Sequence, residues 1–132
     1  MTERRGVVSS RGPQPTATYP HANIDGGYVW VTAQAGRDPE NGELVPGGLE
    51  GQLERAISNL EAILDDCGSS LDSVIKTMVM VVGDPSETLV DAVLARRFPK
   101  LPARTIFGVA FLAAEPGHES VAVQLDVVAS IA

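Results

Sequence analysis

Apolar residues recur at spacings of three and four over residues 49–67, where Leu53, Ala56, Ile57, Leu60, Ile63 and Leu64 form one stripe. That period predicts an amphipathic helix, with Glu50, Glu54, Arg55, Glu61 and Asp65 on its other faces. Gly68 follows as a left-handed stop. A second helix is expected from Asp84-Pro85-Ser86-Glu87 to about Phe98: Asp84 as N-cap, Pro85 at the first helical position, and Glu87 completing a capping box. Pro99 and Pro102 prevent its continuation.

Strand patterns surround these helices. Tyr28, Trp30 and Thr32 alternate with Val29 and Val31, so the two sets take opposite faces. Residues 74–82 are almost continuously apolar, a pattern that suggests burial on both faces. Two more strands are expected at about 105–111 and 121–128. The first 20 or so residues, rich in Pro, Gly, Ser and Thr, read as a loosely held strand and a loop, and Asn41-Gly42 marks a turn within 38–42. The order of strands, helix, strand, helix, strand, strand is that of an α+β fold with two helices on one face of a mixed sheet.

Length and composition narrow the class. The 132 residues suit a single domain, and 44% hydrophobic with 20% charged residues is ordinary for a globular protein. A net charge of −7 with scattered basic residues argues against a nucleic-acid partner. The pair Arg96-Arg97 reads as a solvated helix end near the negative pole of the dipole. Cys67 is the only cysteine, so no intrachain disulfide forms, and its place before Gly68 suits a small buried hydrophobe. The N-terminal residues lack the apolar stretch of a signal peptide, and the longest apolar run, 106–114, is too short to span a bilayer. A cytoplasmic protein with no membrane partner is expected. His21 and His118, the latter in a polar turn, show no metal-ligand spacing, and Gly47-Gly48 lacks the Lys and Ser/Thr of a phosphate loop. No metal or cofactor is implied.

The most pointed chemistry lies in Leu101-Pro102-Ala103-Arg104-Thr105-Ile106-Phe107. A guanidinium at the start of a largely apolar strand needs a partner. Either a protein carboxylate supplies it or a ligand's carboxylate does, and the planar fork of Arg suits bidentate capture of the latter. Alternation puts Arg104 and Ile106 on one face, Thr105 and Phe107 on the other.

Pro102-Ala103-Arg104-Thr105 resembles the Pro-x-Arg-[Ser/Thr] signature of the RidA/YjgF family, small proteins that hydrolyse reactive enamines and imines. Four further blocks follow that family's order. Thr18-Tyr19-Pro20-His21-Ala22 resembles its Pro-Tyr-Ser-Gln-Ala segment, and Val29-Trp30-Val31-Thr32-Ala33-Gln34 its apolar strand ending in Ser-Gly-Gln. Asp38-Pro39-Glu40-Asn41-Gly42-Glu43-Leu44-Val45 is similar to its Asp-Pro-x-[Thr/Asn]-Gly-Glu-Leu-Val loop. The stretch from Gly68 to Thr77 is similar to Gly-Ser-Ser-Leu-Asp-x-Val, an apolar residue, then Lys-Thr.

The resemblance implies a chorismate-mutase-like (YjgF-like) domain that assembles as a homotrimeric barrel, with ligand clefts between subunits. It implies that Arg104 holds the carboxylate of a 2-imino or 2-enamino acid, so that water attacks a fixed carbon. Gln124 then stands where the well-known deaminases carry a pocket Glu that positions the hydrolytic water. A neutral amide is not a base near neutral pH, though its carbonyl oxygen can orient a water. Asp126 shares the face of Gln124 and is either a substitute or a rim charge. Tyr19 matches a pocket-edge tyrosine. Thr32 replaces a Ser and keeps the hydroxyl; Ala33 replaces a Gly and narrows the pocket; Ile106 replaces a Cys whose backbone contacts the ligand. Asp91, where many members have Asn, reads first as a surface residue. The alternative function is a trimeric small-carboxylate binding protein, or a pathway-specific hydrolase, with weak or no general deaminase activity.

Overall fold

The computed structural model describes residues 3–112 and 121–131; the expected turn around His118 lies outside the described residues. Six strands form one mixed sheet: β1 (Arg5–Val7), β2 (Ala22–Asp25), β3 (Tyr28–Ala35), β4 (Val74–Val82), β5 (Ala103–Val109) and β6 (Val123–Ser130). Among the described residues two helices, α1 (Gly48–Asp66) and α2 (Glu87–Arg97), carry the remaining regular structure with a short 3-10 turn at Leu71–Ser73. The strand order is β1-β2-β3-β6-β4-β5. Only β4 and β5 pair in parallel, joined by the α2 crossover; the other neighbours are antiparallel.

Both helices cover the same face of the sheet. Val29 and Val31 of β3, Val79 and Val81 of β4, and Leu125 and Val127 of β6 meet Leu53, Ile57, Leu60 and Leu64 of α1 in one buried core. Val90, Val93 and Leu94 of α2 and the fully buried Phe98 close its far side. The helix stripe read from the sequence is the stripe that is buried, and α1 ends as its glycine demands. Gly68 takes φ 79°, Ser69 N–H reaches the Leu64 carbonyl at 2.9 Å and Gly68 N–H the Asp65 carbonyl at 3.1 Å.

Four expectations need correction. The strand at Val74–Val82 is buried on one face only: Val79 and Val81 are covered, Met78 and Met80 are half-buried, and Ile75 and Val82 are exposed. The second helix starts at Glu87, with the left-handed Ser86 (φ 50°) before it. Gly83 N–H is tied to the Val109 carbonyl at 2.9 Å, so the chain must turn through 84–86 before a helix can begin. The Asp84 carboxylate accepts from Ser86 N–H at 2.9 Å within that turn and caps no helix. Arg96 and Arg97 do lie in the last turn of α2, and Arg96 is exposed, but they are not simply solvated: Arg96 pairs with Glu50 and Glu54, and the half-buried Arg97 with Glu54, at 2.5–3.0 Å, binding α2 to α1. Burial pushes the Glu54 carboxyl up, but hydrogen bonds from both arginines outweigh it and hold it below the usual carboxylate range. The last two strands run at 103–109 and 123–130, two residues away from their expected starts.

The N-terminal segment is pinned across the sheet edge. His21, fully buried, accepts from Ser9 N–H at Nδ1 (2.8 Å) and donates from Nε2 to the Pro13 carbonyl (2.5 Å). Ser9 Oγ donates to Asp66 at 2.5 Å, and Arg11 pairs with Asp65 and Asp66. These contacts fix the loop that carries Tyr19. Among the described residues no helix lies on the opposite face of the sheet. Tyr28 (43% exposed) and Trp30 (53%) stand there on β3, and the half-buried Lys76, Met78 and Met80 of β4 lie on the same face across β6.

Candidate functional site

Pro102 lacks an N–H, so the β5 ladder begins only at Ala103, and Arg104 is the second residue of an edge strand. Its register partner is Thr77, whose own partner Val127 points into the core, so Arg104 faces the helix side. There it meets α2. Arg104 Nε lies 3.2 Å from Asp91 Oδ1, and Nη1 lies 4.0 Å from Glu87 Oε2. The guanidinium is one-third exposed at the floor of a cleft of about 240 Å³, walled by Leu94, Ala95, Leu101 and Pro102. Ile106 follows on the same face, half-buried against the core, while Thr105 turns to the open face and accepts from Lys76 Nζ at 2.9 Å. The alternation expected of this strand is present.

Tyr19 and Ala33 come together elsewhere. They line a depression with Thr16, His21, Gln34 and Arg37, beyond β3. The Tyr19 hydroxyl accepts from Thr16 N–H at 3.3 Å. Thr32 donates its hydroxyl to the Pro20 carbonyl at 2.9 Å, and its N–H to the His21 carbonyl at 2.8 Å. It thus holds the Tyr19 segment against β3 and keeps an oxygen lone pair for another donor. A break in register interrupts the β3–β6 ladder between Val31 and Gln34, at Thr32 and Ala33, and pairing resumes at Gln34 and Ala35.

Gln124 belongs to neither group. It sits on β6 between Ala35 and Met80, on the open face, and is 9% exposed. Its register places it about two strand spacings (~10 Å) and three residues (~10 Å) from Arg104, on the other side of the sheet. Within one chain these two side chains do not converge. Asp126 shares the face of Gln124, opposite Met78. Burial pushes its carboxyl up, against a backbone hydrogen bond from Met78 and the charge of Lys76.

Four residues play parts that the sequence did not assign to them. Asp91 is the protein carboxylate that meets Arg104, and the helical spacing of α2 gave no sign of which strand it would face. Arg37 and the buried Gln34 line the Tyr19 depression; a polar run closing a strand was their only signal. Asn59, fully buried, donates to the Ala35 and Arg37 carbonyls at 3.3 and 2.9 Å and so fixes the end of β3 against α1. Its signal was visible: a polar residue beside the apolar stripe of α1. Among the described residues no cluster of His, Cys, Asp and Glu is arranged to hold a metal ion, and no helix is long and apolar enough to cross a membrane.

An α+β sheet with two helices on one face and an arginine on its parallel edge defines a recognisable class. The sequence model of the family described as "Endoribonuclease L-PSP" matches residues 9–131. The chain is 32% identical over 110 residues to the 2-iminobutanoate/2-iminopropanoate deaminase of Rattus norvegicus, covering 83% of this chain and 80% of that one. A RutC family protein of Pyrococcus abyssi is 37% identical over 73 residues, 55% of this chain; the chain spans about 58% of that relative's length. The crystal structure of RidA from the Antarctic bacterium Psychrobacter superposes with a TM-score of 0.86 at 26% identity, covering 96% of this chain and 99% of that one. The chain belongs to the RidA/YjgF family.

Proposed function

We propose that residues 1–132 act as one RidA/YjgF-like domain that hydrolyses reactive 2-imino and 2-enamino acids to 2-oxo acids and ammonia, without a cofactor, in the cytoplasm. The working form is a homotrimer, a chorismate-mutase-like barrel with clefts between subunits. One observation carries this reading: the residues expected to bind ligand fall into separate groups in a single chain. Arg104 and Ile106 face the helices at the β5 edge, whereas Tyr19 and Ala33 line a depression at the end of β3, where Thr32 holds the Tyr19 segment. A cleft between copies lets one chain's Arg104 meet another's Tyr19. The open sheet face, with Tyr28 and Trp30 exposed, supports the same assembly, because large apolar faces on soluble chains mark interaction surfaces.

In the proposed reaction Arg104 holds the substrate carboxylate and fixes C2. Water oxygen adds to C2 of the iminium, the C=N bond becomes single, and the water's proton passes to nitrogen. The resulting carbinolamine, protonated on nitrogen, collapses: its C–N bond breaks with the electron pair leaving on ammonia, the hydroxyl oxygen forms C=O, and the hydroxyl proton passes to the ammonia, which departs as ammonium. Gln124 orients the water through its side-chain oxygen and takes no proton. Tyr19 and Ala33 wall the cleft, Thr32 offers its remaining lone pair, and Ile106 shapes the floor. The net charge of −7 supports a small-molecule substrate over a nucleic acid. One residue favours the second reading, a small-carboxylate binding protein or pathway-specific hydrolase: Gln124 supplies no general base.

The Gln124→Glu variant tests these roles. General-base assistance is worth about 10²–10⁴-fold. Ammonia release from freshly generated 2-imino acids should therefore rise by at least about tenfold in the variant. An unchanged or slower rate removes Gln124 from the path of the water.

A further inference from the structure

Arg104 shares its cleft with one carboxylate, Asp91, and the exposed Glu87 lies just outside it. Asp91 Oδ1 is 3.2 Å from Nε, and Glu87 Oε2 is 4.0 Å from Nη1. Before any ligand arrives, the guanidinium is already matched by the Asp91 carboxylate in the cleft, with Glu87 adding negative charge nearby. A plain monocarboxylate that docks on the guanidinium enters next to Asp91 and is repelled by it. A ligand that presents a carboxylate and, on the next carbon, a protonated nitrogen meets both partners with the right sign. The fork geometry allows this: Nε is turned toward Asp91, and the guanidinium has further N–H donors for a carboxylate. Leu94, Ala95, Leu101 and Pro102 provide an apolar wall for the ligand's side chain.

We propose that Asp91 is a specificity-determining residue that reads the protonated nitrogen on C2 of the substrate. The proposal rests on the reading of Arg104 as a carboxylate clamp. Hydrolysis removes that nitrogen and leaves a 2-oxo acid, which keeps the attraction of Arg104 but faces Asp91 with no compensating charge. Asp91 therefore favours substrate over product and hastens product release. The discrimination comes from a repulsive element as much as an attractive one.

Matched stable ligands test this: L-2-aminobutanoate, which carries both charges, and 2-oxobutanoate, which carries only the carboxylate. Affinities are read from NMR chemical-shift titrations of the full chain as wild type, Asp91→Asn and Arg104→Ala. Wild type should prefer the amino acid. Asp91→Asn should weaken the amino acid and strengthen the oxo acid, each by about threefold, the scale of a half-exposed charge pair. The affinity ratio then falls about tenfold. An unchanged ratio overturns the proposal, as does a loss of both affinities together, which marks a merely structural role. Asp91→Glu should restore the wild-type preference; failure to do so overturns the proposal as well. The clamp is read separately: Arg104→Ala should abolish both interactions. If it leaves both intact, the clamp reading fails whatever Asp91 does, and the proposal falls with it.

Discussion

Gly36→Ala is a severe test of how β3 is seated on α1. A Cβ built at Gly36 lies 2.4 Å from both Cα and the backbone oxygen of Gln52. Ordinary van der Waals contact begins at about 3.4 Å, so the strand and helix must separate by roughly 1 Å. Both clashing atoms are backbone, and no rotamer change relieves them. Three hydrogen bonds, one buried and two partly buried, lie at the same junction: Asn59 to the Ala35 and Arg37 carbonyls, and Ala122 N–H to Gln52 at 2.8 Å. Overpacking costs about 1–3 kcal/mol where side chains can adjust. Here the upper end, about 3 kcal/mol, is expected. Gly26 is the control, since a Cβ there meets nothing within 4 Å and the only cost is its left-handed φ of 62°. Gly26→Ala should lose about 1 kcal/mol. Urea unfolding followed by circular dichroism, at one protein concentration for all variants, gives both values. A Gly36→Ala protein within about 0.5 kcal/mol of wild type would refute the packing described for this junction.

Other residues give predictions of different sign. Leu101 is 68% exposed yet holds φ 44°, a conformation costing about 1–2 kcal/mol for a side-chain-bearing residue. Leu101→Gly should raise the thermal midpoint by a few degrees while slowing imine hydrolysis through loss of the cleft wall; a lower midpoint counts against the strain. Asp126, its carboxyl raised by burial, is easiest to accommodate protonated. Its folded value exceeds its unfolded one, so its contribution is fully present below the unfolded value and lost as pH rises through the folded one. Asp126→Asn should stabilise the fold at neutral pH and have no effect well below the usual carboxylate range; melting curves across that span check it, and a neutral-pH loss contradicts it. Burial also pushes the Cys67 thiol up, and the residue is 5% exposed. It should resist a thiol reagent in the native protein and react once urea is added; rapid native labelling is the contrary result.

Much of this architecture was legible in local pattern. The α1 stripe, the Gly68 stop, the alternation of β3 and the faces of β5 all follow from period and one glycine. The short β2 was not, because Asn23 and Asp25 interrupt its apolar residues and two glycines follow. The start of α2 was misplaced because a bond from Gly83 to the distant Val109 overrides a well-formed capping sequence. The fate of Arg96 and Arg97 depended on where Glu54 would stand after α1 and α2 packed. The same limit applies to the site. The identity of Arg104 pointed to carboxylate chemistry, but its partner Asp91 lies on a different element. The separation of Arg104 from Gln124 follows from β4 lying between β5 and β6, with the two side chains on opposite faces. Chain order does not encode that arrangement.

The central claim is that Arg104 anchors an imine substrate for hydrolysis. It is tested most directly by ammonia release from 2-imino acids generated in situ by an amino-acid oxidase, with wild type and Arg104→Ala beside an uncatalysed control. The account predicts acceleration by wild type that disappears in a folded Arg104→Ala protein. Equal acceleration by both proteins, or none by wild type across small and large side chains, would contradict it.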